Sequence, residues 1–133
     1  MQNAGSAGWG PYSAAVRWLF ERVRSFRPAL RGLWVARTGA NLRVQVAGAG
    51  AASVLAVAYG LRRTHLALVI VAIAAVLGTE LINTAIERAC DVIADQHGLG
   101  RDPRIRDIKD IAAAAVLVVC VGAAGVGVLV FLA

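Results

Sequence analysis

The sequence predicts an all-α integral membrane protein with three transmembrane helices and an N-terminal amphipathic helix on the membrane surface. Of its 133 residues, 59% are hydrophobic and 17% are charged, whereas soluble domains usually contain about 45–50% apolar residues. The mean hydropathy is +0.67. The charges are also unevenly distributed, because residues 44–59, 66–79 and 111–133 contain none.

The segment before the first apolar run predicts a flexible N-terminus at residues 1–12 and surface helices over about residues 13–43. Residues 13–25 mix apolar side chains with Arg and Glu, which is typical of a helix lying in the membrane interface, with Trp18 among the headgroups. Proline is favoured in the first turn of a helix. Pro28 therefore predicts the start of a second helix, which leads into the first span.

Three spans are predicted, at residues 44–61, 66–93 and 108–133. A bilayer core requires roughly 20 residues of apolar helix, and only the third run reaches this length without a charge. The second run reaches it only if the helix continues past Glu80, which places a carboxylate at membrane depth. A tight outer turn at residues 60–65 and a polar loop at residues 96–107 are expected to connect the spans.

The distribution of positive charge predicts a cytoplasmic N-terminus. Of the 14 Lys and Arg residues, seven precede the first span, two lie in the short outer loop, and five lie in the loop between the second and third spans or at the adjoining ends of those spans. Cytoplasmic loops of membrane proteins are enriched in Lys and Arg. Membrane topology therefore accounts for the net charge of +6, and no nucleic-acid partner is predicted.

Four polar residues in the second span form the main candidate site: Glu80, Asn83, Glu87 and Asp91. At about 100° per residue, their spacing places them in a carboxylate stripe roughly 80° wide on one helix face. A charge at membrane depth costs at least about 2.5–3.5 kcal/mol, so the stripe is expected to face protein or a wet cavity. A polar contact between helices would explain Asn83. Three carboxylates repel one another, however, and no Lys or Arg shares the stripe, so we expect a divalent metal ion or a proton as their partner.

The residues alone leave two kinds of function open. Phosphoryl transfer requires a metal ion and a base, and Lys109 at the predicted start of the third span could bind a phosphate beside the positive end of the helix. A proton or ion relay fits the stripe equally well, and Lys109 taken alone is better explained as an interfacial anchor. The sequence contains neither the G-x-x-x-x-G-K-[ST] loop nor the H-R-D motif of other kinases.

Two motifs resemble signatures of the prokaryotic diacylglycerol kinase and undecaprenol kinase family. The first is E-L-I-N-T-A-I-E-R-A-C-D at residues 80–91, and the second is K-D-I-A-A-A-A-V-L at residues 109–117. A weaker similarity covers residues 26–43. The resemblance implies ATP- and Mg²⁺-dependent phosphorylation of the terminal hydroxyl of a membrane lipid, diacylglycerol or undecaprenol, at the cytoplasmic face of the bacterial inner membrane.

The same resemblance implies an assembly and a set of roles. It implies a homotrimeric helical bundle whose active sites are shared between neighbouring subunits. Glu80 corresponds to the catalytic base, Asn83 to a residue that helps to hold the site, and Glu87 to a glutamate that binds the metal ion. The residues implied near the nucleotide are Asp91, Lys109 and Asp110.

One departure from the family pattern lies before the first span. Members usually carry a second metal-binding glutamate at the position of Gly39, and many carry histidine at the position of Gln45. Glu87 would then lack its usual carboxylate partner. The metal ion could be held mainly by ATP, Glu87 and Asp91, its affinity could be reduced, or the protein could be an inactive relative that binds lipid or a partner. We expect activity, because the other catalytic positions are present. Residues 41–43 and the Ala-rich run look closer to undecaprenol kinases than to diacylglycerol kinases, which favours undecaprenol as the substrate.

Overall fold

The structure, a computed structural model, describes residues 11–132, and every regular element in that range is an α-helix. The helices are α1 (Pro11–Ala36), α2 (Ala40–Ala58), α3 (Arg63–His97) and α4 (Pro103–Phe131). The chain divides after Val35 into two compact units, the first ending with most of α1 and the second containing the bundle of α2, α3 and α4.

The three predicted transmembrane helices are confirmed as α2, α3 and α4, which are long and apolar enough to cross a membrane. At a rise of 1.5 Å per residue they extend about 28, 52 and 43 Å, compared with about 30 Å for a hydrocarbon core. The helix α3 packs against both α2 and α4. Because α3 exceeds the core by about 20 Å, its polar C-terminal part extends beyond the hydrocarbon.

Few side chains of the bundle are buried, and most of the large apolar ones face outward. This pattern suits helices surrounded by lipid, where packing depends on small residues and close backbone approach. Ala56, Ala94 and Ala112 are among the buried residues. Two polar side chains are also buried within the described part of the chain, Glu80 and Asn83, and both belong to the carboxylate stripe.

The N-terminal predictions are partly wrong. Residues 1–10 lie outside the described residues, but α1 begins at Pro11, inside the segment predicted to be flexible. The helix continues through Pro28, which does not begin a second helix. The fixed φ of proline is compatible with a helix, so Pro28 removes a hydrogen bond without ending α1.

The break occurs instead just before the first span. Arg37 and Thr38 form a turn, and the Gly39 N–H donates to the carbonyl oxygen of Ala36 at 3.0 Å. Gly39 is the N-cap of α2, with φ −63° and ψ 131°. The boundary between the surface segment and the first span therefore lies at residues 37–39 rather than at residue 43, because the extended backbone at Gly39 separates α1 from α2.

Two glycines explain why the connections on either side of α3 are shorter than predicted. Gly60 and Gly98 have φ of 60° and 66°, in the left-handed region that glycine adopts without steric cost. After each, the next residue closes the helix end, with Leu61 N–H donating to Ala56 O and Leu99 N–H to Ala94 O. The outer turn is thus residues 59–62, within which the chain reverses before α3 begins.

The predicted polar loop at residues 96–107 is also wrong, because only residues 98–102 separate α3 from α4. Asp102 caps α4 by accepting a hydrogen bond from the Arg104 N–H at 2.9 Å, and Pro103 follows in the first turn. The Arg104 side chain, and then its backbone N–H, hold the pKa of the Asp102 carboxyl below its ordinary value. Lys109 consequently lies about 9 Å along α4 from the helix start, beyond the first turn where the helix dipole acts.

Candidate active site

The carboxylate stripe lies on α3 and passes from a buried to an exposed environment. Glu80 and Asn83 are each 3% exposed. Glu87 is half-buried and Asp91 is exposed. Along the helix axis, Glu87 lies about 10 Å from Glu80, and Asp91 lies about 6 Å farther. The stripe therefore connects the interior of the bundle with its polar end.

Glu80 is held by a residue of the neighbouring helix. The side-chain Nε2 of Gln45 on α2 donates a hydrogen bond to Glu80 Oε2 at 3.1 Å. The other end of the same amide, Gln45 Oε1, is buried without a hydrogen-bond partner. This contact was not predicted from the sequence, in which Gln45 is only a position where many relatives carry histidine. A single amide in an otherwise apolar stretch was the available signal, because such a group must find a partner inside the membrane.

Asn83 and Glu87 form a second pairing of an amide with a carboxylate, within one turn of α3. Asn83 Nδ2 donates to Glu87 Oε1 at 3.1 Å, while Asn83 Oδ1 is buried without a hydrogen-bond partner. The described residues contain no group of three or more His, Cys, Asp or Glu side chains arranged to hold a metal ion. The Glu87 carboxylate is nevertheless a hard oxygen donor, which fits Mg²⁺ when phosphate oxygens supply most of the remaining ligands.

Asp91 has a cationic partner from another helix, although no Lys or Arg lies in the stripe itself. Lys109 Nζ on α4 donates to Asp91 Oδ1 at 2.8 Å. The Lys109 side chain is 36% exposed and the Asp91 side chain is 62% exposed. Solvent therefore screens the ion pair, which contributes little to stability. Its consequence is geometric, because it fixes the lysine ammonium at the exposed end of the stripe.

A cleft of about 570 Å³ surrounds this ion pair, between the end of α3 and the start of α4. It brings together the three residues assigned to the nucleotide from sequence, namely Asp91, Lys109 and Asp110. Arg101 and Arg106 also line it, although neither was singled out in the sequence. The cleft therefore combines three basic groups with several carboxylates at a solvent-accessible position.

An apolar cavity of about 220 Å³ lies among α2, α3 and α4. Aliphatic and small side chains and one aromatic ring, that of Phe131, form its walls. Gln45 is the one polar side chain among the described residues that line it. Because Gln45 also holds Glu80, this cavity adjoins the buried end of the stripe.

The comparisons with known proteins agree on one family. A model of the family described as prokaryotic diacylglycerol kinase matches residues 27–131, which include all the site residues named above. The undecaprenol kinase of Bacillus subtilis (strain 168) is 36% identical over 110 residues, which is 82% of this chain and 86% of that protein. No solved structure gives a significant match.

Proposed function

Because the chain belongs to the prokaryotic diacylglycerol kinase family and is a lipid kinase, we propose that it transfers the terminal phosphate of ATP to undecaprenol. The reaction requires Mg²⁺ and takes place at the cytoplasmic face of the bacterial inner membrane. The main support for the proposal is the carboxylate stripe. It extends from the buried, hydrogen-bonded Glu80 to an exposed cleft with several basic side chains. The name of the Bacillus subtilis relative supports undecaprenol as the acceptor.

Glu80 acts as the general base in this proposal. The lipid hydroxyl oxygen forms a bond to the terminal phosphorus of ATP, and the bond from that phosphorus to the bridging oxygen breaks. ADP leaves, and the hydroxyl proton passes to the Glu80 carboxylate. Gln45 engages Glu80 Oε2, so we assign the proton to Oε1.

Glu87 holds Mg²⁺ together with the nucleotide phosphates. Mg²⁺ commonly binds to proteins through one or two carboxylates plus substrate phosphates, and the half-buried Glu87 carboxylate offers one such ligand. The bound ion neutralises negative charge on the phosphates. The hydrogen bond from Asn83 orients the Glu87 carboxylate, as outer partners of metal ligands generally do.

The exposed cleft binds the phosphates of ATP. Lys109 attracts phosphate as a point charge, and Arg101 and Arg106 offer planar groups that can donate two parallel hydrogen bonds. Asp91 holds the Lys109 ammonium by its 2.8 Å hydrogen bond. At the other end of the stripe, the apolar cavity beside Gln45 offers a place for the hydrocarbon chain next to the hydroxyl.

The N-terminus lies in the cytoplasm in this proposal, and α1 lies on the inner membrane surface. Arg24, Arg27 and Arg31 share one side of α1, since their spacing keeps them within about 60° of one another. Phe26, Leu30 and Leu33 share another side and are exposed. Arginines among headgroups and an apolar face toward the acyl chains are typical of an interfacial helix.

The protein is proposed to be a homotrimer with sites shared between subunits. Two buried amide oxygens in the described chain, Gln45 Oε1 and Asn83 Oδ1, lack hydrogen-bond donors, which supports a site completed by further groups. We expect that mixing inactive Glu80→Gln and Asp110→Asn subunits restores activity. With random assembly into closed rings, about one site in four would receive both intact residues from different chains.

This complementation is measured by lipid phosphorylation after the two variants are co-expressed. Each variant expressed with itself is the control and should stay inactive. Absence of any recovery would mean that one chain supplies both residues. A monomeric mass by native mass spectrometry would contradict the shared site altogether.

A substitution at Gly39 offers a test of the proposed metal site. The antiparallel helices α2 and α3 are registered by the hydrogen bond between Gln45 and Glu80. Gly39 lies about 9 Å from that level along α2, and Glu87 lies about 10 Å from it along α3, in the same direction. A glutamate at position 39 would therefore be level with Glu87.

We expect Gly39→Glu to lower the Mg²⁺ concentration that gives half-maximal activity and to change saturated turnover by no more than a few-fold. The φ of Gly39 suits any residue, although a Cβ would lie 3.3 Å from the Ala36 oxygen and require a small adjustment. No gain in helix propensity is expected, because Gly39 is the N-cap rather than an interior residue. Gly39→Gln is the matched control, and an equal effect of Gln, or an unmoved Mg²⁺ dependence, would show that position 39 does not face the metal ion.

The acceptor lipid is identified by comparing undecaprenol and diacylglycerol in mixed micelles of the same detergent. We expect a higher kcat/KM for undecaprenol at saturating ATP and Mg²⁺. A higher value for diacylglycerol would leave the lipid kinase intact and reverse the proposed substrate.

A further inference from the structure

We infer that Gln45 is a positioning residue, which holds the Glu80 carboxylate in the orientation needed to receive the hydroxyl proton. This inference rests on the proposed role of Glu80 as the base and extends it to a residue of a second helix. The main evidence is the 3.1 Å hydrogen bond from Gln45 Nε2 to Glu80 Oε2, which joins α2 to α3.

The orientation of the Gln45 amide follows from its partner. An ionised carboxylate only accepts hydrogen bonds, so the NH₂ end of the amide must face Glu80. The reversed amide would bring two acceptor oxygens together. The consequence is that Gln45 Oε1 is buried without a donor, which is unfavourable. The orientation of the Gln45 amide is therefore set by its hydrogen bond to Glu80.

The surroundings of Gln45 indicate why the contact matters. All other described residues that line the adjoining cavity are apolar, and Glu80 is 3% exposed. A flexible glutamate in such surroundings has few polar groups to fix its rotamer. Because productive proton transfer requires defined geometry, holding one oxygen directs the other toward the reacting hydroxyl.

The chemistry of the acceptor excludes a direct role for Gln45 in proton transfer. A lipid alcohol with one hydroxyl has one proton to donate, and that proton goes to Glu80. The amide Oε1 of Gln45 cannot receive the same proton, and an amide is not a base at neutral pH. Any effect of Gln45 on the proton transfer itself therefore passes through Glu80.

The alternative role is structural, a polar contact that only stabilises the pairing of α2 with α3. The two roles predict different kinetics. Loss of a structural contact would lower the amount of folded protein or change several kinetic parameters together. Loss of a positioning contact lowers kcat, leaves the KM for lipid and for ATP nearly unchanged, and has no effect once Glu80 has lost its carboxylate.

The experiment is a double-mutant cycle on the full chain, measured by phosphate transfer from radiolabelled ATP to undecaprenol in mixed micelles. Gln45→Met keeps the size of the side chain and removes the donor. We expect kcat to fall about 10–100-fold, the range known for removing the partner that orients a metal ligand. In the Glu80→Gln background the same substitution should change kcat less than about two-fold. Gln45→His retains an N–H donor and should keep kcat within a few-fold of the starting protein.

The possible outcomes separate this inference from the proposed function. The positioning role would be overturned if Gln45→Met kept the kcat of the unmodified protein. It would also be overturned if the loss of kcat were the same with Glu80 and with Gln at position 80, or if only the KM for lipid changed. If Gln45→Met does not fold, loss of kcat in folded Gln45→His would overturn it as well. High turnover in Glu80→Gln itself would instead overturn the assignment of the base, whatever Gln45 does.

Discussion

The Glu80→Gln protein is expected to phosphorylate lipid about 10²–10⁴-fold more slowly than the unmodified protein, the usual cost of removing a general base. Glutamine has nearly the same shape as glutamate and cannot accept the hydroxyl proton. The Gln45 N–H group can still donate to the side-chain oxygen of the new amide, so the contact between α2 and α3 should persist. A neutral amide is also less costly to bury than a carboxylate, and the fold should be retained.

This prediction is checked by kcat at saturating lipid, ATP and Mg²⁺. Asp107→Asn is a matched control, because it removes an exposed carboxylate of α4 that belongs to neither the stripe nor the cleft lining given above. The control should retain its activity. Near-normal turnover of Glu80→Gln would mean that Glu80 is not the base, and the stripe would then need another role.

The Glu87→Gln protein is expected to show the second large effect, a loss that depends on the metal ion. Replacing outer partners of a metal ligand typically costs about 10–100-fold in metal affinity or activity, so loss of the proposed ligand itself should cost at least as much. Asn83 can still donate to the amide oxygen at position 87, which preserves the local contact on α3. Activity should fall at ordinary Mg²⁺ concentrations and recover in part as Mg²⁺ is raised.

The Mg²⁺ dependence distinguishes the two glutamates. In Glu80→Gln, the Mg²⁺ concentration that gives half-maximal activity should stay where it is, although the rate is low. In Glu87→Gln it should move to higher concentration. If both variants lose rate with an unchanged Mg²⁺ dependence, then Glu87 does not bind the metal ion.

The parts of the fold that were predictable from sequence depend on local composition and periodicity. Apolar runs of sufficient length identify spans, and the spacing from Glu80 to Asp91 places polar residues on one helix face wherever the helix lies. The errors concern helix ends. Pro28 is a signal for a helix start in many contexts, but here α1 continues through it, and the break falls at Gly39.

The contacts of the site were less predictable, because they depend on how helices are registered against one another. The pairing of Asp91 with Lys109 depends on how α4, which begins at Pro103, packs against α3. The pairing of Gln45 with Glu80 requires the register of α2 on α3. Neither register follows from the residues of a single helix, although an isolated amide in an apolar span indicates that some partner exists.

The most direct test of the proposed function is whether the purified protein transfers radiolabelled phosphate from ATP to a lipid alcohol. We expect labelled undecaprenyl phosphate in mixed micelles containing Mg²⁺, and no labelled lipid after the divalent ions are chelated. If neither undecaprenol nor diacylglycerol becomes labelled at any Mg²⁺ concentration, while the protein remains folded in detergent, then the carboxylate stripe of α3 is not a working site of phosphoryl transfer.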